Sequence, residues 1–282
     1  MSNFTALKTW TKQLIRARLL PWLLESDLLL TRTVARQSLL GFLDAVSPVA
    51  TNHKLIRIGG DGDGGYLVPD DLIGIKVCFS PGVSEVADFE LALAALGIQC
   101  FLADYSVDVP PKQHPLFTFD KKFLGATDDD VFIRLETWLR RAPDNDNDMI
   151  LQMDIEGAEY GVILNASDAM LARFRILVVE FHELQGLTDK LGFELINLTF
   201  QKLLRQFDIV HIHPNNCRRP VVFNECQIPP VMEFTFLRKD RVAARAPASI
   251  FPHSLDRRNL PDVDDISLPG CWFDRSLRSG RG

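Results

Sequence analysis

The sequence predicts an α/β protein, a doubly wound and mostly parallel sheet with a terminal antiparallel strand and an N-terminal helical extension. Three observations carry this. From about Lys54, short apolar runs alternate with stretches of helical spacing, the signature of parallel pairing through crossover helices. The runs are near-continuous in Val, Ile, Leu and Phe, as strands buried on both faces are. The last two runs, Ile209–His213 and Met232–Leu237, lack room for a helix between them and so form an antiparallel pair at one edge.

The elements follow in order. Residues 1–50 read as helices, with Phe4, Leu7, Trp10, Leu14 and Ile15 at helical spacing and Lys8, Lys12, Arg16 and Arg18 beside them. Such a basic amphipathic helix suits either peripheral contact with an anionic membrane or packing on the main domain or a second subunit. Leu55–Ile58 and Gly65–Val68 form a hairpin about a glycine-rich turn. Lys76–Ser80 is a strand, then a helix near Val86–Leu96 and a strand Ile98–Ala103. Leu116–Phe119 precedes a helix near Asp129–Arg140. Met149–Asp154 leads into a short helix from Ala158, and Ile176–Glu180 into a long one over Gly192–Gln206. The expected domains are therefore a helical extension over 1–50, a sheet domain over 51–240, and an irregular tail over 241–282 packed on it.

Composition sets outer limits. The chain has 282 residues, 46% hydrophobic and 24% charged, which excludes disordered, collagenous and disulfide-scaffold classes. A net charge of −6 argues against broad electrostatic binding of nucleic acid. Five scattered cysteines with no CxxC pair suggest neither a zinc knuckle nor a disulfide framework, so a reducing cytoplasm is the expected compartment. Leu19–Leu30, interrupted by Pro21, Glu25 and Asp27, is too short and too charged to span a bilayer and lacks a signal-peptide cleavage site.

In doubly wound sheets ligands bind beyond the carboxyl ends of the strands, so those ends hold the candidate site. The first sheet strand runs into Ser80-Pro81-Gly82-Val83-Ser84-Glu85 and then a helix. A glycine there allows close backbone approach, and the following helix offers free N–H groups. The segment has neither GxGxxG nor GK[ST], which disfavours a nicotinamide oxidoreductase and a nucleotide hydrolase. Asp104 ends the next strand about twenty residues on, where a carboxylate accepts hydrogen bonds from a ribose diol. Together they point to an adenosine-type ligand.

Gly59–Tyr66 resembles the start of a calcium loop but fails the test. Counted from Asp61, Tyr66 and Leu72 stand where an EF-hand needs glycine and glutamate. The segment is then either a hairpin turn or a backbone-rich lid. Gln152-Met153-Asp154-Ile155-Glu156-Gly157-Ala158-Glu159-Tyr160 is the densest motif, with three carboxylates at a ligand-facing edge. Glu159 falls in a first helical turn, where capping accounts for it; Asp154, at the strand end, is the functional candidate. Glu180-Phe181-His182-Glu183 and His211-Ile212-His213-Pro214-Asn215-Asn216 close later strands, with His211 and His213 on one face. Acids and histidines at adjacent strand ends suit either a divalent metal or a general base for an alcohol, and Asn215 and Asn216 suit a polyhydroxylated substrate.

These residues also resemble a known family. Leu151–Tyr160 is similar to the signature of FkbM-type S-adenosylmethionine-dependent methyltransferases. Arg57–Asp70, Cys78–Glu90, His211–Asn216 and Ile228–Lys239 resemble segments of a bacterial branch related to the methyltransferase-like proteins, so that the likeness spans roughly 54–240. The first motif departs from the family, its run of glycines reduced to Gly82 after Pro81.

The resemblance implies a class I methyltransferase fold, S-adenosylmethionine as donor, and O-methylation of a sugar or polyketide hydroxyl. The expected cofactor residues are Ser80, Gly82, Ser84 and Glu85 for the methionine part, Asp104 for the ribose and Asp120 for the adenine side, with Asp154 beside the donor. His182 or His211 is the expected base, with Asp154 orienting it. The alternative is a divalent metal, Mg2+ or Mn2+, on Asp154, Glu180 and His182. His213, Asn215, Asn216, Glu156 and Tyr66 are expected to face a small-molecule or glycan acceptor, and nucleic acid is not an expected partner. A homo-oligomer and a non-catalytic cofactor-binding subunit complete the expectations.

Overall fold

The computed structural model describes residues 21–23, 25–26, 30–142 and 148–278. The basic amphipathic pattern over Phe4–Arg18 lies outside the described residues. Among the described residues no helix is long and apolar enough to cross a membrane.

The strands are β1 (Val49–Thr51), β2 (Leu55–Gly59), β3 (Gly65–Pro69), β4 (Val77–Pro81), β5 (Gln99–Ala103), β6 (Phe117–Asp120), β7 (Phe123–Gly125) and β8 (Phe132–Arg134). They continue as β9 (Met149–Met153), β10 (Phe174–Phe181), β11 (Phe207–Pro214), β12 (Val221–Phe223), β13 (Cys226–Ile228), β14 (Met232–Arg238) and β15 (Arg245–Pro247). The helices are α1 (Arg36–Ala45), α2 (Asp88–Ala95), α3 (Leu135–Leu139), α4 (Glu159–Asn165), α5 (Asp168–Leu171) and α6 (Lys190–Leu204).

Seven strands form the central sheet in the order β6-β5-β4-β9-β10-β14-β11, all parallel except β14. Renumbered by position within this sheet, the order is 3-2-1-4-5-7-6 with the seventh strand reversed, that of the class I methyltransferase fold. The antiparallel pair β11–β14 stands at one edge as expected, but β14 lies inside it, hydrogen-bonded to both β10 and β11.

Period-two alternation sends the strand side chains to two cores. Phe79, Phe101, Leu151, Val179 and Phe181 face one side, where α1, α3, α4 and α6 cover them. Cys78, Cys100, Ile150, Ile176 and Val178 face the other, under α2 and the β2–β3 hairpin. The hairpin is fastened by Thr235, whose hydroxyl donates to the Leu67 carbonyl at 2.6 Å.

The helical reading of 129–140 is corrected. This stretch contains β8, paired in parallel with β7, and only the short α3. Asp129 accepts from the N–H groups of Val131 and Phe132 at 2.8 Å, and Asp128 from that of Arg134 at 2.9 Å. Aspartates that bond their own downstream backbone hold a turn and delay the helix.

Helix α1 and the tail pack together on the domain. Phe42 of α1 meets Phe200 of α6 at 5.3 Å and Trp272 of the tail at 6.4 Å between ring centroids. Trp272 is fully buried, and its indole N–H donates to the Gln227 carbonyl at 3.0 Å.

Candidate active site

The strand order reverses between β4 and β9, and a cavity of about 630 Å³ opens beyond their carboxyl ends. That is the switch point at which doubly wound sheets take ligands, and the volume is that of a small-molecule site.

The floor is the turn after β4. Gly82 has φ +86°, and a β-carbon there would stand 1.6 Å from the Asp154 carbonyl oxygen. Only glycine lets β4 and β9 end this close together. The Asp104 carboxylate takes the Ser84 N–H at 2.8 Å on one oxygen, and the Ser106 N–H at 2.7 Å and hydroxyl at 2.6 Å on the other. An ionised carboxylate has about four acceptor sites, so Asp104 fastens the turn and keeps capacity for a ligand. Gly82, Ser84, Glu85 and Asp104 all line the cavity, with Tyr66, Asp154 and Glu156 across it.

One wall is aromatic. Phe123 and Phe132, each 37% exposed, project from β7 and β8 and line the cavity with Leu124. The opposite wall is the glycine-rich loop between β2 and β3, where Asp63 and Gly64 reach the cavity. Arg57 holds that loop by donating to the carbonyls of Gly60 at 2.7 Å and Gly62 at 2.8 Å.

Two expected cofactor residues stand outside the cavity. Ser80 is fully buried beneath its floor, bonded to Glu90 and, at 2.6 Å, to the Gln152 side-chain oxygen. Asp120 is turned away, accepting from the Trp138 indole at 2.8 Å and from Arg141. Their side chains point into the packing on either side of the sheet because strand neighbours alternate.

A cluster of titratable groups begins at Asp154. His182 Nε2 lies 3.7 Å from Asp154, 3.6 Å from Glu180 and 3.4 Å from Glu156, while its Nδ1 lies 3.1 Å from Glu159. Burial lowers the His182 pKa, but the Glu159 bond and the charges of Asp154 and Glu156 outweigh it and leave it raised. Burial pushes the Asp154 carboxyl up to about 7, an effect that His182 opposes and that Glu156, Glu159 and Asp63 reinforce. The same causes, burial first and the Asp154 and Glu233 charges next, hold Glu180 well above the carboxylate range.

Register explains the convergence: Glu180 pairs with Glu233 and Glu233 with His213 across the sheet, so all three share one face. His211 and His213 nevertheless stand apart from the cavity, under the tail. His211 Nε2 lies 2.8 Å from Asp256, and His213 lies 3.6 Å from the same carboxylate. Neither is placed to act as base or to touch an acceptor in the cavity. Asn216 is likewise committed, clamping the tail through the carbonyls of Leu260 at 2.9 Å and Val263 at 3.0 Å. Asn215 donates to Glu180 at 3.0 Å.

Three cavity residues escaped the sequence reading. Glu90, buried in α2, is linked through Ser80 to Gln152, whose amide donates to the Tyr66 hydroxyl at 3.2 Å. An acid within the apolar run Phe89–Ala95 was the available signal for Glu90, and the two-residue offset from Asp154 was that for Gln152. Asp63 had only the glycine loop to mark it.

A model of the methyltransferase FkbM domain matches residues 114–207, which include Asp154, Glu159, Glu180 and His182. That match covers a third of the chain and supports a methyltransferase. This methyltransferase is therefore expected to use S-adenosylmethionine, and the Gly82 turn, Asp104 and the aromatic wall fit such a donor. No curated protein matches the chain. A solved structure, a variant of the 16S rRNA (adenine(1408)-N(1))-methyltransferase from Catenulisporales acidiphilia, is 11% identical, with a TM-score of 0.29 over 65% of this chain and 97% of that chain.

Proposed function

We propose that this methyltransferase is of the FkbM type and moves the methyl group of S-adenosylmethionine to a hydroxyl of a sugar or glycan intermediate. The observation that supports it most is the junction at Asp154. One carboxylate borders both the Gly82–Asp104 cavity and the cluster of His182 and Glu180.

The sulfonium donor supplies an electrophilic methyl group. The turn at Gly82–Glu85 binds its methionine part, Asp104 accepts from the ribose, and Phe123 and Phe132 flank the adenine in place of Asp120. Alignment of the acceptor oxygen with the methyl and the sulfur accounts for much of the acceleration. A sugar hydroxyl is a poor nucleophile until its proton is removed or its oxygen polarised. His182 is the remaining candidate base: with Nδ1 held by Glu159, its Nε2 faces the acceptor side. The unpartnered oxygens of Asp154 and Glu180 favour a second route, through a divalent cation. Carboxylates at the mouth suit hydroxyl donors and repel phosphates, which supports a small-molecule or glycan acceptor over nucleic acid. The cytoplasmic, membrane-peripheral placement and a homo-oligomer belong to the same proposal.

The test is calorimetry with S-adenosylhomocysteine on wild type and Asp104→Ala, followed by mass spectrometry of candidate glycans for methylated product. Binding that weakens at least roughly tenfold in the variant is expected from the loss of a charged hydrogen-bond partner. Wild type that does not bind would overturn the donor assignment.

A further inference from the structure

We propose that Asp154, Glu180 and His182 form a site for a divalent cation of the magnesium or manganese class, beside the cavity where Asp154 borders it. Each offers one ligand atom, and these atoms lie within 4.8 Å of one another. His182 Nε2 is 3.7 Å from Asp154 Oδ1 and 3.6 Å from Glu180 Oε1. Ligands about 2.1 Å from a six-coordinate ion are about 3 Å apart when adjacent and about 4.2 Å when opposite. Both spacings from Nε2 fall between those limits.

An acidic cluster alone would not make a site, and two further observations point to a ligand. Glu180 is 4% exposed, and while Oε1 accepts from Asn215, Oε2 has no hydrogen-bond partner. Asp154 Oδ1 is also without one. Buried carboxylate oxygens left unsatisfied are costly and uncommon. Among the described residues no lysine or arginine forms an ion pair with Asp154, Glu156 or Glu180; their shared cationic partner is His182. Three carboxylates facing one imidazole leave room for another positive charge.

The second observation is the far side of the imidazole. His182 Nδ1 lies 3.1 Å from Glu159 Oε1, and Glu159 is fully buried and held by the N–H groups of Ile155 and Gly157, each at 3.1 Å. A carboxylate that takes the Nδ1 proton fixes the ring and turns Nε2 outward as a donor, the usual support for a metal-ligating histidine. Two carboxylates and one imidazole, with no thiolate, suit magnesium or manganese better than zinc in a closed structural site.

Three protein donors do not complete the shell of such an ion, so water and the acceptor supply the rest. A hydroxyl with a second oxygen on the neighbouring carbon, as in a sugar diol, is the acceptor class such a site would take. Only this last point rests on the methyl-transfer reading; the cation site stands on the geometry alone.

The full chain, stripped with EDTA and dialysed, is titrated with manganese while free Mn2+ is followed by electron paramagnetic resonance, with magnesium as competitor. S-adenosylhomocysteine is titrated into the same preparation by calorimetry. One manganese site per chain is expected, weakened at least roughly tenfold in both Glu180→Gln and His182→Gln, by analogy with damage to ligand support. Circular dichroism identifies folded samples, and if one variant unfolds the other carries the comparison. A folded wild type that binds no manganese, or affinity unchanged in the folded variants, overturns the site. Homocysteine-cofactor binding without manganese binding overturns the cation and leaves the donor reading. Manganese binding without it supports the cation and counts against the donor.

Discussion

Gly82 and Asp154 meet backbone to backbone: the space for a β-carbon at Gly82 is taken by the Asp154 carbonyl oxygen, 1.6 Å away. This contact joins the ends of β4 and β9 and sets the distance between the Gly82 turn and the cluster of Asp154, Glu180 and His182. Gly82→Ala must part the two strand ends and hold alanine at φ +86°. The left-handed conformation alone costs about 1–2 kcal/mol, and the displacement adds to it. Thermal melting is expected to fall by at least about 4 °C, with loss of S-adenosylhomocysteine affinity in calorimetry. A variant with wild-type melting and binding would show that the strand ends yield freely.

Glu90 gives a pH-dependent prediction. Burial pushes its carboxyl up to about 7, against the Ser80 bond that favours the ionised form. Ser80 has one hydroxyl hydrogen for two oxygens, those of Glu90 and Gln152. A protonated Glu90 resolves this by donating to Ser80, which then donates to Gln152. The folded state therefore holds a proton that the unfolded chain releases above about pH 4.3. Stability from this group is greatest below that pH and declines as pH rises through about 7. Glu90→Gln is expected to remove that decline and, at pH 8, to match or exceed wild type by on the order of 1–3 kcal/mol. Chemical denaturation at pH 5.5 and 8.5 checks it; equal slopes in both proteins would contradict it.

Much of this arrangement was legible in the chain. Crossover spacing revealed the parallel strands because β4, β5, β9 and β10 are each apolar on both faces, and the strand-end rule then led to Gly82, Asp104 and Asp154. The rule finds where a strand ends and is silent on which way a side chain leaves it. Ser80 and Asp120 accordingly stand one step off the cavity. The β7–β8 pair was hidden because helical spacing over 129–140 is real in α3, and only the bonds of Asp128 and Asp129 to downstream N–H groups delay its start. His211 and His213 share a face as their spacing required. What covers that face is Asp256, more than forty residues later in an irregular tail, and no local pattern announces such a contact.

That contact has its own pH dependence. Burial lowers the His213 pKa, but the ion pair with Asp256 and the charges of Glu233 and Asp265 raise it to about 9. Burial likewise opposes ionisation of Asp256, and His211 and His213 overcome it to hold the carboxyl well below its usual range. Stabilisation from His213 is complete below its unfolded pKa of about 6.5 and is lost as pH rises through about 9. The Asp256 contribution is present above about pH 3.9 and is lost on further acidification. Burial depresses His211, which adds a cost below about pH 6.5. Tail anchoring should thus be strongest near pH 6.5. Between pH 7.5 and 9.5 wild type is expected to lose up to about 2 kcal/mol that Asp256→Asn has already lost. Limited proteolysis of the tail across that range reads the anchoring directly; protection that stays constant would exclude the ion pair as its cause.

Glu159 should matter more to activity than a cap in a first helical turn would. Its Oε1 gathers the N–H groups of Ile155 and Gly157 together with His182 Nδ1, all at 3.1 Å. Around it the backbone turns sharply, with φ +57° at Glu156 and +101° at Gly157. Glu159→Ala releases both N–H groups and the imidazole into a buried space, at a cost of about 2–4 kcal/mol. Glu159→Gln keeps an oxygen for the N–H groups but loses the charge that favours a protonated Nδ1. Both variants are expected to lose methyl transfer by roughly 10–100-fold, the alanine variant with a lower melting temperature and the glutamine variant with nearly none. Retained S-adenosylhomocysteine binding in the glutamine variant would place the defect on the acceptor side. Full activity in Glu159→Gln would mean that His182 orientation is not limiting, and Glu159 would then be a structural support for the loop alone.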